Sequence, residues 1–142
     1  MALEAIPEYP QSDKRTIYLV WAYVEAGRTK DALFMINSHT VNDAQFEYLC
    51  GRVYQMANKY GTALEYYRNS LTKPSIVRTR DEVRRDALYY SALSWSEICE
   101  SDKTQDNLVQ TLNAWRVVKR LYEQEPEHSR YKRAVKELNE LK

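Results

Sequence analysis

Apolar residues along this chain recur every third or fourth position, which is the spacing of amphipathic helices and differs from the alternation of β-strands. Residues that start helices and residues that break them divide the pattern into seven segments. We therefore predict helices over residues 13–26, 30–38, 43–58, 60–71, 80–99, 103–123 and 129–141.

The predicted boundaries rest on capping residues and on breakers. Ser12 and Thr29 are placed to cap the first two helices, and Gly27 is placed to end the first. Asn42 and Asp102 each precede a glutamine by three residues, which is the spacing of a capping box. We expect these two residues to start the third and sixth helices.

The predicted helices differ in how many of their faces must be covered. The first is apolar on every side over residues 17–24, so neighbours must cover more than one face. The third and fifth helices show the same property more weakly, whereas the second helix of each pair has a narrower apolar stripe. This alternation is typical of stacked helix hairpins, and the predicted fold is all-helical.

The middle hairpin carries a regular set of small and aromatic residues, namely Gly51, Tyr54, Ala63 and Tyr67, with Pro74 closing the unit. This spacing resembles the tetratricopeptide repeat. Two small residues allow the helices to cross closely, and the tyrosines fill the space around the crossing. On this basis Gly51→Leu should overpack the hairpin. If the helical backbone is unstrained, Gly51→Ala should be neutral or slightly stabilising, because alanine is the better helix former.

The resemblance implies a right-handed tetratricopeptide-like solenoid of about three hairpins with a capping helix at the C-terminus. The first repeat would cover residues 12–41, the second 42–77 and an extended third 78–126, with the capping helix over 127–142. Because the third unit matches only with added residues, both of its helices should be longer than usual. Residues 1–11 resemble the tail of a preceding repeat, in which case the chain is a fragment of a longer protein.

A stripe of residues on the first helices of the three hairpins is the candidate site. On the first helix of each hairpin we take the residues six and two positions before Tyr23, Tyr54 and Trp95, because residues four apart share a helix face. In tetratricopeptide repeats this face lines the concave groove, and aromatic residues and arginine are enriched at binding hot spots. The predicted groove for a partner protein contains Ile17, Trp21, Tyr48, Arg52, Tyr89 and Leu93. In the alternative, neighbouring helices simply bury these residues.

Composition and charge exclude several other classes of function. With 21 basic and 20 acidic residues the net charge is +1, which gives no overall field to attract nucleic acid. No run of apolar residues is long enough to insert into a membrane. The basic residues between 73 and 85, and those of the last helix, alternate with acidic ones, so we interpret both runs as solvated surface.

Residues with catalytic or metal-binding chemistry are few. The chain has 2 cysteines and 2 histidines, and lacks phosphate-loop, zinc-protease and nucleophile-elbow motifs. We expect no enzymatic activity, no cofactor and no metal. His39 and His128 are interpreted as exposed residues, and Cys50 and Cys99 as buried, inert thiols. Free thiols favour the cytoplasm, with the periplasm as the alternative.

The sequence thus predicts a non-catalytic scaffold that binds a peptide or helical segment of another protein in its groove. The lysine and asparagine pattern with which some co-chaperones of the family hold a C-terminal carboxylate is absent. Two alternatives stay open. Residues 8–12 and 121–129 are similar to repeat ends in outer-membrane assembly lipoproteins, and the chain could also be an accessory domain of a larger signalling enzyme.

Overall fold

The computed structural model describes residues 11–141, which form seven helices and no strand. The helices are α1 (Gln11–Glu25), α2 (Thr29–Ser38), α3 (Ala44–Met56), α4 (Tyr60–Ser70), α5 (Arg80–Ser101), α6 (Gln105–Leu121) and α7 (Ser129–Glu140). Each predicted helix is present, which confirms the all-helical fold class. None of the helices in this part of the chain is long and apolar enough to cross a membrane.

Several helix starts differ from the predicted caps. Ser12 lies inside α1 and not before it, and α2 begins without a side-chain cap. The cap of α3 is Asp43, whose Oδ2 accepts a hydrogen bond from the Phe46 backbone N–H at 3.0 Å. Its Oδ1 accepts a second bond, at 2.7 Å, from the backbone N–H of Ile76. Asp43 therefore serves two segments at once, a role that Asn42, exposed beside it, does not take.

The remaining boundaries follow local chemistry. Gly27 ends α1 with φ +71°, a left-handed conformation that glycine adopts without strain. The cap of α6 is Thr104 and not Asp102, and its hydroxyl accepts from the Asn107 backbone N–H. A capping box that the sequence analysis missed joins Thr79 and Glu82 at the start of α5.

The helices pack in chain order. Each one contacts the next, and α3 also contacts α1 and α5, so α3 is covered on several sides as its all-round apolar pattern requires. At 22 and 17 residues, α5 and α6 are longer than α3 and α4, with 13 and 11, which confirms the expected lengthening of the third hairpin.

Two separate clusters of buried residues hold these helices together. The first core lies among α1 to α4 and the first half of α5, and its fully buried members include Ile17, Leu49, Val53 and Tyr67. The second core lies among the second half of α5, α6 and α7. It consists of Ala92, Trp115, Val118, Tyr122 and Ala134, with partly buried residues packed around them.

Helix α7 lies against α6 and contributes Ala134 to the second core, while Tyr131, Leu138 and Leu141 pack around that core. This places its apolar stripe against the end of the helix series. The predicted repeat tail over residues 1–11 lies, apart from Gln11, outside the described residues, and so does Lys142 at the end of the predicted capping helix.

The close approach in the middle hairpin is made by Gly51 and the ring of Tyr67. A Cβ atom at position 51 would lie 2.4 Å from Tyr67 Cε1, well inside van der Waals contact. The Tyr67 ring is buried and its hydroxyl donates a hydrogen bond to Gln55, and both features restrict movement of the ring away from position 51. The structure therefore predicts that Gly51→Ala is destabilising, contrary to the expectation from helix propensity, because a methyl group at this position would meet the Tyr67 ring.

Candidate functional site

A groove opens at the meeting point of α1, α3, the start of α5, the α4–α5 connection and α7. It has a volume of about 470 Å³, and we refer to it as the central groove. Aromatic and charged side chains dominate its walls: it is lined by Trp21, Glu25, Tyr48, Arg52, Val77, Arg78, Glu82, Asp86, Tyr90 and Arg130.

Arg52 on α3 lies at the centre of the aromatic part of this groove. Its guanidinium carbon is 4.1 Å from the centre of the Tyr90 ring, and its Nη1 donates a hydrogen bond to the Tyr48 hydroxyl at 3.0 Å. Burial raises the pKa of Tyr48 to about 12, so this phenol keeps its proton at neutral pH. The cation–π contact with Tyr90 and the hydrogen bond to Tyr48 together hold the Arg52 guanidinium in one position.

The floor of the groove is an ion-pair network around Asp86. Its Oδ2 pairs with Arg78 Nη2 and its Oδ1 with Arg130 Nη1, each at 2.7 Å. Arg130 Nη1 also donates to the Tyr122 hydroxyl at 3.0 Å. Because all three charged side chains are largely buried, the geometry of the network is well constrained compared with an exposed pair.

The α4–α5 connection forms one wall of the groove and is fixed to α3. Arg78 Nη1 donates to Gln45 Oε1 at 3.0 Å, and the Ala44 backbone N–H donates to the Pro74 carbonyl at 2.7 Å. The Arg78 guanidinium also lies over the Trp21 ring, 5.6 Å from its centre. This connection therefore joins α1, α3 and α5 around the groove.

Three of the six predicted site residues, Trp21, Tyr48 and Arg52, line the central groove. Ile17 has no exposed surface and belongs to the first core. Tyr89 packs edge-on against Trp115, with ring centres 6.1 Å apart, and Leu93 packs against the second core. Neither α5 residue lines the central groove, although the guanidinium of the groove residue Arg130 lies 4.4 Å from the centre of the Tyr89 ring.

The sequence analysis missed Asp86 and Tyr90, which lie three residues before Tyr89 and Leu93, close to the same face of α5. The equivalence of Trp95 with Tyr54 set the predicted register on α5, and the α5 residues that line the groove lie about one helical turn before the predicted ones. Arg78 and Arg130 were interpreted as solvated surface. Both arginines instead form ion pairs with Asp86, which is 44 residues from Arg130 in sequence.

The histidines and cysteines do not line this groove. His39 is exposed, with Nδ1 3.0 Å from the Met35 carbonyl oxygen, and His128 Nδ1 accepts from the Arg130 backbone N–H. Both cysteines are free and buried, and burial raises the pKa of the Cys50 thiol. Between residues 11 and 141 no group of three histidine, cysteine or acidic residues is arranged to hold a metal ion.

A second cavity, of about 570 Å³, lies where the ends of α5 and α7 meet the start of α6. Glu100, Glu137 and Glu140 contribute acidic side chains to it, and Glu137 already pairs with Arg133 at 2.9 Å. No aromatic residue lines this cavity, so it lacks the anchoring side chains of the central groove.

Comparison with known proteins found no matching family model, no matching curated protein and no matching solved structure. Membership of the tetratricopeptide family therefore stays a prediction from the residues.

Proposed function

We propose that this chain is a non-catalytic interaction module of tetratricopeptide type, which binds an extended or helical segment of another protein in the central groove. The packing order supports this architecture, because α3 lies between α1 and α5 while α2 and α4 connect them, as in a solenoid of hairpins.

One observation carries the proposal: aromatic rings and a guanidinium lie around an open groove and are already held in position. Trp21 and Arg52 are half-buried, so each keeps surface for a partner, and Arg52 is fixed on Tyr90. Side chains that are ordered before binding lose little conformational entropy when a partner docks. Aromatic residues and arginine are also the types that contribute most to binding energy at interfaces.

The aromatic surface continues beyond the groove along α1. The Tyr18 ring stacks on Trp21, with centres 6.0 Å apart and an angle of 4° between the planes, and Tyr18 is 51% exposed. A large exposed aromatic residue beside the groove extends the area that a partner segment can cover.

Site-specific photocrosslinking tests the proposal. A p-benzoylphenylalanine in place of Glu25, at the rim of the groove, should capture a partner protein in cells that naturally make this chain. The same residue in place of Phe34, which is 69% exposed on α2, provides the matched control on another surface. Mass spectrometry then identifies the crosslinked proteins and the segment that is attached.

The expected result is a crosslinked segment that is specific to position 25 and is lost when Trp21→Ala is added. We expect this substitution to cost less stability than the loss of a core tryptophan, because Trp21 is only half-buried. The same partners at positions 25 and 34, or capture that a folded Trp21→Ala variant retains, would contradict binding in the central groove.

A further inference from the structure

Arg52 differs from the other two arginines of the central groove in its partners. Arg78 and Arg130 share the carboxylate of Asp86. Within residues 11–141, Arg52 forms no ion pair, and only its Nη1 donates a hydrogen bond, to a neutral phenol. A guanidinium carries several further N–H donors arranged in a planar fork that matches a carboxylate.

The surroundings of Arg52 strengthen its attraction for an anion. Its guanidinium lies against the Tyr90 ring at 4.1 Å and near the Tyr48 ring at 6.0 Å, so water surrounds only part of it. Coulombic attraction is stronger for a partly buried charge than for one in open solvent, where salt and water screen it. An anion at Arg52 would therefore contribute more than a typical surface ion pair.

The other charges of the groove favour a single negative charge over a double one. Glu82 Oε1 accepts hydrogen bonds from the Thr79 backbone N–H and hydroxyl, and Asp86 lies between two arginines. Glu25 is exposed at the rim and has no described ion-pair partner. The three carboxylates balance the three guanidiniums of the groove, so no excess positive charge is left for the second negative charge of a phosphate dianion.

We propose that the segment bound in the central groove carries an internal glutamate or aspartate whose carboxylate binds Arg52, beside an apolar or aromatic residue that packs on Trp21. This inference rests on the proposed function and specifies the chemistry of the partner. The fork of Arg52 donates to the carboxylate oxygens at the edge of the guanidinium, while the Tyr90 ring covers one of its faces.

Selection from random peptides tests this proposal. A phage library with the random segment away from the C-terminus is selected on the parent chain, and a second library presents free C-termini. The selected pools are sequenced and compared with pools selected on Arg52→Gln. Arg68→Gln is the matched control, because Arg68 is exposed on α4 and lies outside the groove.

We expect peptides from the internal library with an acidic residue at one fixed position, enriched on the parent and on Arg68→Gln but not on Arg52→Gln. Replacing that glutamate by glutamine in a synthetic peptide should weaken binding to the parent about 10-fold and change binding to Arg52→Gln little, because a charge-assisted hydrogen bond is lost only in the first case. The peptide change needs no alteration of the protein, so the test stands even if Arg52→Gln folds poorly.

Glu25→Gln provides a test of opposite sign. Removing this rim carboxylate should strengthen binding of the acidic peptide by about 2- to 5-fold, in the range of an exposed charge interaction. Unchanged or weaker binding would contradict an acidic residue near Arg52.

The possible outcomes separate the two proposals. Peptides that depend on Trp21 but show no acidic preference would overturn the inference and leave the binding function in place. An acidic preference confined to free C-termini, or tighter binding of phosphoserine than of glutamate at the selected position, would also overturn it. If no peptide is enriched in a groove-dependent way, the proposed function fails together with the inference.

Discussion

The first core and the second core achieve burial in different ways. In the first core many residues from α1 to α5 share the burial, with the aromatic rings of Phe46, Tyr48 and Tyr67 among numerous aliphatic and small side chains, and α3 has neighbours on several sides. The second core depends on a few large side chains, with Trp115 at 0% and Tyr122 at 2% exposure, surrounded by half-buried residues. Polar contacts add to it, since Arg85 pairs with Glu125 and lies 4.2 Å from the centre of the Tyr122 ring.

This difference follows from position in the helix series. A helix in the middle is covered from several sides, so many moderate contacts add up. Helix α7 packs mainly against α6, with Arg130 also pairing with Asp86 on α5, so fewer residues supply the burial at this end. Large aromatic residues are an efficient solution, because each one buries an extensive apolar surface. The consequence is that stability should be distributed in the first core and concentrated in the second.

Trp115→Ala is the change with the largest expected effect. Trp115 is fully buried and its Nε1 donates to Ser96 Oγ at 2.8 Å, so truncation leaves both a cavity and an unpaired hydroxyl. We expect a loss of about 3–5 kcal/mol in the free energy of unfolding, measured with urea. Hydrogen exchange should show that amides of α6 and α7 lose protection before those of α3 and α4.

Trp21→Ala is the control for this prediction, because Trp21 is a tryptophan of the groove that is only half-buried. A loss equal to that of Trp115→Ala, or a uniform loss of protection from α1 to α7, would show that stability is not concentrated in the second core.

Gly51→Ala tests the packing of the first core. The added methyl group would meet the buried Tyr67 ring, so we expect a loss of about 1–3 kcal/mol in a denaturant titration. Gly61→Ala is a matched control on α4, where a Cβ atom meets nothing within 4 Å. That substitution should stabilise the chain through helix propensity by less than the roughly 1 kcal/mol of a mid-helix position, because Gly61 is the second residue of α4. Equal effects of the two changes would argue against the close approach.

Two carboxylates, one beside each core, should respond to pH in opposite directions. Burial raises the pKa of Glu47 on α3, with Lys73 opposing the shift, and Glu47 Oε2 has no described hydrogen-bond partner. Hydrogen bonding from Arg85 lowers the pKa of Glu125. The folded chain thus holds the Glu47 proton more tightly than the unfolded chain does, and the Glu125 proton less tightly.

The loss of folding stability caused by ionising Glu47 is therefore absent in acid. It appears as pH rises from the ordinary carboxyl pKa, about 4.3, through the raised pKa of Glu47 in the folded chain. The contribution of Glu125 is present above that ordinary pKa and is lost as pH falls through its lowered folded value. At pH about 7, Glu47→Gln should have a higher free energy of unfolding than the parent, by less than about 1 kcal/mol, and should melt at a higher temperature. Glu125→Gln should melt at a slightly lower temperature than the parent. Both differences should shrink near pH 3, and a difference that stays constant with pH would refute the assignment.

The sequence by itself determined the number, order and approximate limits of the helices, because these features depend on local periodicity and on breakers such as Gly27. It also placed Tyr48 and Arg52 on one face of α3, since residues four apart on a helix share a face, and the repeat spacing grouped Trp21 of α1 with them. Such patterns lie within one or two turns of the chain and need no knowledge of distant neighbours.

Only the tertiary structure decided which distant residues meet. Asp43 is the cap of α3 because it also accepts a hydrogen bond from Ile76, 33 residues away. A methyl group added at position 51 would meet a ring on another helix, that of Tyr67. Asp86 reaches Arg130 across 44 residues, so two arginines that look like solvated surface in the sequence form the floor of the groove. Local spacing cannot encode these contacts, because they depend on how long helices such as α5 lie against one another.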